Sequence, residues 1–118
     1  MTSIRPRSDA EYIRSQREAI ATLDLILRSA ENAGLPPLRW SLIAFGTLHG
    51  QALDFSTDTR RATFDAWVEH LGATHSSEWT TQGTTHLRAA ATDVFGQPVR
   101  LALTAELFDV DDEGGCAV

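Results

Sequence analysis

Between Ser8 and Gly34 the apolar positions repeat with a helical period. Ile13, Ile20 and Leu27 recur every seven residues, interleaved with Gln16, Leu23 and Ala30, and a neighbouring stripe runs through Tyr12, Ala19, Ile26 and Ala33. Ser8 and Glu11 form a Ser-x-x-Glu capping box, in which hydroxyl and carboxylate each satisfy a free amide of the opening turn. Gly34 suits a left-handed cap, and Pro36-Pro37 cannot continue a helix. The pattern predicts a helix over 8–33, ~36 Å long at 1.5 Å per residue. Its apolar surface is wide. The expectation is that it lies on a sheet, the alternative being that part of it meets another chain as a short coiled-coil-like seam.

The period then changes to two. Residues 38–45 and 48–55 read as strands around Gly46-Thr47, a Gly-X pair suited to a two-residue hairpin turn. That turn would place Leu38 opposite Phe55 and Trp40 opposite Leu53 on one face, and Arg39 opposite Asp54 on the other. Ile43, Phe45 and Leu48 then fall on the outer face at the hairpin tip. A second helix follows, capped by Thr57 or Asp58, with Phe64, Trp67, Val68 and Leu71 on one stripe and Gly72 as its stop.

After it come a short strand near 78–81, a turn at Gln82-Gly83, and strands near 84–93 and 99–108. Val99, Leu101, Leu103, Ala105 and Leu107 alternate inward, as do Thr85, Leu87, Ala89 and Ala91. A loop centred on Gly96 keeps both sets together and pairs Ala89 with Leu103 and His86 with Glu106. The predicted order is α-β-β-α-β-β-β. The fold class is α+β, a single domain over 8–108 with an antiparallel sheet and two helices packed on one face. Residues 1–7 read as a flexible lead and 109–118 as an acidic flexible tail.

Composition agrees with this and removes some partners. The 118 residues are 42% hydrophobic and 22% charged, enough for one core without disulfides or metals. A formal net charge of −6 disfavours generic nucleic-acid binding. Four of the 16 acids, Asp109, Asp111, Asp112 and Glu113, crowd the tail, so residues 1–108 carry twelve acids against ten arginines and are close to neutral. No apolar run is long enough to span a membrane or to serve as a secretory signal, which places the expected location in the cytoplasm. Cys116, the one cysteine, is expected to be a free thiol in the tail.

Chemistry leaves little trace in the residue pattern. His49, His70, His75 and His86 lack the spacing of a metal site, so no metal or other cofactor is expected. Gly-x-Ser-x-Gly, HExxH and Gly-rich phosphate motifs do not occur. Gly-Thr-Leu-His-Gly at 46–50 leads into a strand, where a dinucleotide loop would open a helix. No catalytic residue is assigned. Trp40 and Trp67 lie on inward faces, where they pack the core or line a pocket between helices and sheet. Trp79 sits on a short edge strand.

The stretches Leu-Pro-Pro-Leu-Arg-Trp at 35–40, Phe-Asp-Ala-Trp-Val at 64–68 and Gly-Thr-Thr-His-Leu-Arg at 83–88 resemble small uncharacterised α+β proteins of high-GC actinobacteria. That resemblance implies no activity, cofactor or site. The function expected from the residues is non-enzymatic association with another protein or a second copy. The leading contact surface is the outer sheet face, through Ile43, Phe45, Leu48, Ala90, Ala102 and Phe108, with the first helix as the other candidate. The alternative is a small-molecule-binding or enzymatic domain with its pocket at Trp40 and Trp67.

Overall fold

A computed structural model describes residues 8–43, 46–54, 56–73 and 75–108, and of His75 the backbone only. The expected lead and tail, and with them Phe45, Phe55 and Cys116, lie outside the described residues. The elements are α1 (Asp9–Ala33), β1 (Arg39–Ile43), β2 (Thr47–Ala52), α2 (Thr57–Leu71), β3 (His75–Thr81), β4 (Thr84–Val94) and β5 (Gln97–Phe108), in the predicted order.

Both helix ends of α1 follow from their residues. The Ser8 hydroxyl accepts from the Glu11 amide at 3.2 Å, and the Glu11 carboxylate accepts from the Ser8 amide at 2.8 Å. Gly34 takes φ 72°, and its amide donates to the carbonyls of Ala30 and Glu31. Helix α2 starts one residue earlier than expected, because Ser56 is the cap and its hydroxyl accepts from the Thr59 amide at 3.0 Å.

The five strands form one sheet in the order β1-β2-β5-β4-β3. It is mixed, which corrects the expectation of a purely antiparallel sheet: β2 runs parallel to β5, and the other neighbours are antiparallel. Chain parity explains the difference. Helix α2 carries the chain back across the sheet, so β3 starts in the direction of β2; two hairpins later β5 has that direction again.

The register of β4 and β5 is the predicted one, with Ala89 opposite Leu103 and His86 opposite Glu106. Phe95 and Gly96 make the turn, both at positive φ.

The β1–β2 register is not as predicted. Trp40 faces Gly50 rather than Leu53, and Arg39 faces Gln51 rather than Asp54. A Cβ on Gly50 would sit 2.9 Å from Leu38 Cδ1 and 3.0 Å from Trp40 Cζ3, so the indole occupies the space that glycine leaves. Gly46, at φ 77°, approaches the helix so closely that a Cβ there would lie 2.7 Å from the Ser15 carbonyl oxygen. The three-residue slip is odd and therefore exchanges faces. Leu48, expected on the outer face, points inward and is 0% exposed, while Leu53 lies past the strand and is exposed.

Leu48, Gly50 and Ala52 thus run in phase with Leu101, Leu103 and Ala105, and the buried sheet residues share one face. Both helices cover that face, α1 across β1, β2 and β5, and α2 across β2, β5 and β4. The core there is Ile26, Phe64, Trp67, Leu71, Leu87, Leu101, Leu103 and their neighbours. One long helix contributes little to it: the buried residues of α1 are Ala19, Thr22, Ile26 and Ala30, of which only Ile26 is large.

Candidate interaction surfaces

The opposite face of the sheet carries no helix. Its cross-strand ladder sets Ser77, Arg88, Thr104, Gln51 and Arg39 in one transverse row, and Ala90, Ala102, His49 and Ser41 in the next. His49 Nε2 and Thr104 Oγ1 lie 2.7 Å apart within these rows. On the far side Trp79 stacks on His86, with ring centroids 5.3 Å apart and 17° between planes, and His86 Nδ1 is 3.7 Å from Glu106 Oε2. Of the six residues expected to form a contact patch, Leu48 is inside and Phe45 is outside the described residues. Ala90 and Ala102 adjoin in mid-face, whereas Ile43 and Phe108 are exposed at opposite ends of it. The large apolar groups are therefore separated by a polar, arginine-bearing middle. A face with that layout is not a continuous apolar patch.

Helix α1 is different. The stripe Tyr12, Ala19, Ile26 faces the sheet, and the seven-residue repeat beside it does not: Ile13 is 57%, Ile20 55% and Leu27 44% exposed. Three large aliphatic side chains at a heptad spacing stand in line on one rigidly capped helix, with Leu23 half-buried between the last two. Arg17 and Asp24 flank the stripe on its solvent side, one turn either side of Ile20. Sequence reasoning assigned the apolar repeat but not these two charges. Asp24 holds Arg28 at 3.0 Å in an exposed pair, and Arg17 has no ion-pair partner among the described residues.

A hydrogen bond on the other side of the helix marks which way that stripe points. Ser29 Oγ is 2.8 Å from His70 Nε2 of α2. Residue 20 is nine positions from residue 29, two and a half turns, so Ile20 points directly away from α2. Because α2 lies toward β4 and α1 toward β1, the exposed stripe looks out past the β1 edge of the sheet.

The expected pocket residues fill space rather than enclose it. Trp40 and Trp67 meet edge to face at 5.6 Å and 73°, and Trp67 Nε1 donates to the Pro36 carbonyl at 2.7 Å. Trp40 Nε1 is buried without a hydrogen-bond partner among the described residues. An open groove of about 620 Å³ lies near by, lined by Pro37, Leu38, Leu53 and Asp54 among others. Another, of about 470 Å³, runs between α1 and the β4–β5 turn and carries Glu18 and Arg100. No family model, curated protein or solved structure matches this chain. Its surfaces must be read on their own chemistry.

Among the described residues no three His, Cys, Asp or Glu side chains come together as metal ligands. Among the described residues no helix is long and apolar enough to cross a membrane. Ser29 and His70 have the spacing of a nucleophile and its base, but Ser29 lies within helix α1, near its C-terminal end, rather than on a sharp turn. The His70 ring is bordered by Trp67 and Phe95, with ring centroids 6.2 Å away in each case. No carboxylate is bonded to that ring among the described residues, so the third member of a catalytic triad is missing there.

Proposed function

We propose that the protein is a non-enzymatic association module that joins with a second copy of its own chain. The observation that carries this reading is the stripe Ile13, Ile20 and Leu27, left half in water on a helix whose ends and orientation are fixed. A helix within a protein draws most of its stability from packing its apolar face, and α1 buries mainly small side chains against its own sheet. A partner surface on the stripe supplies what the fold leaves open. The outer sheet face ranks second, since its large apolar groups are dispersed.

Light scattering and equilibrium sedimentation over about 1–500 µM test the proposal, the range in which a contact of this modest size is expected to form. The mass should rise toward that of a dimer with concentration. A monomer mass throughout would overturn it.

A further inference from the structure

We infer that the second copy seats on α1 antiparallel to it, about a two-fold axis beside Ile20, with Arg17 of each chain facing Asp24 of the other. This rests on the self-association proposed above and adds its surface and orientation.

The stripe lies on the flank opposite the Ser29–His70 bond and faces out past the β1 edge, so a second α1 can approach without meeting α2. Leu42, on the helix-bearing face of edge strand β1 and itself exposed, extends the apolar surface on that side. Symmetry then chooses the direction. Two copies packed parallel would set Arg17 against Arg17 and Asp24 against Asp24, a like-charge contact on both levels. Two copies packed antiparallel, centred between residues 20 and 21, bring Arg17 level with Asp24 of the other chain, twice. Ile13 then lies within a turn of the partner's Leu27, and the two Ile20 side chains adjoin on the axis. Arg17 has no competing ion pair among the described residues, and the exposed Asp24–Arg28 pair is open to a second guanidinium. Opposed helix dipoles favour the same direction.

Charge reversal tests the orientation. Arg17→Asp and Asp24→Arg, each alone, set like charges against each other across the axis, and at low salt each should raise the dimer dissociation constant about tenfold or more. The double variant exchanges the two charges and should return the constant to within about threefold of the unmutated value. Helix content by circular dichroism, unchanged in all three, keeps misfolding from imitating dissociation. If both single variants dimerise like the unmutated chain, or the double variant fails to recover, the antiparallel seam is overturned while self-association stands. If the unmutated chain is itself monomeric, self-association falls, and the seam with it.

Discussion

Ser29 Oγ lies 2.8 Å from His70 Nε2, and this contact between the two helices lies on the side of α1 opposite the heptad stripe. With Ser29 turned toward α2, the heptad stripe is turned out. Replacing Ser29 by alanine should cost about 1 kcal/mol, the net worth of a part-buried hydrogen bond. The expected readout is a melting temperature lowered by a few degrees with helix content retained. Ser29→Ala melting like the unmutated chain would show that the bond does not hold α1 in place.

Gly50→Ala probes the first hairpin. The new methyl would meet Leu38 Cδ1 at 2.9 Å and the Trp40 ring at 3.0 Å, inside van der Waals contact. Overpacking of this kind costs about 1–3 kcal/mol. A thermal melt checks it. An unperturbed variant would mean that Trp40 does not lie across Gly50.

The register of β4 and β5 makes its own prediction. Leu103 is buried and Ala102, next to it, faces the outer side. Leu103→Ala should lose about 2–5 kcal/mol, and Ala102→Ser should be close to neutral. Equal damage from both in thermal melts would contradict this pairing.

How much of this was readable from residues alone differs between the two hairpins. The β4–β5 pairing was legible because two long alternating runs meet at a single Gly96 turn, and a tight turn there gives a register of the parity that keeps Leu101, Leu103 and Leu87 on one face. The β1–β2 pairing was not. Arg39 opposite Asp54 and Trp40 opposite Leu53 satisfied charge and polarity, so the local pattern pointed to a plausible register three residues away. The observed register is marked by two close approaches, the Trp40 ring over Gly50 across the hairpin and Gly46 against the Ser15 carbonyl of α1. Burial of Leu48 followed, and with it the loss of one expected contact residue. For the candidate surface, the spacing of Ile13, Ile20 and Leu27 was visible from the start. The side to which it points was not, because that depends on which face of α1 packs on the sheet and beside α2, through contacts between residues as distant as Ser29 and His70.

The two uncovered surfaces are separable by one substitution on the sheet. Ala102→Glu places a charge in the middle of the outer face, far from the α1 stripe, and dimer mass by light scattering should be unchanged. Its loss with the fold intact would move the interface to the sheet.

The most direct test of the account is sedimentation of Ile20→Glu beside the unmutated chain at equal concentration. Ile20 is half in water in the single chain, so the substitution should leave folding intact. The account predicts a dimer for the unmutated chain and a monomer for the folded variant; the same dimer mass for both would contradict it.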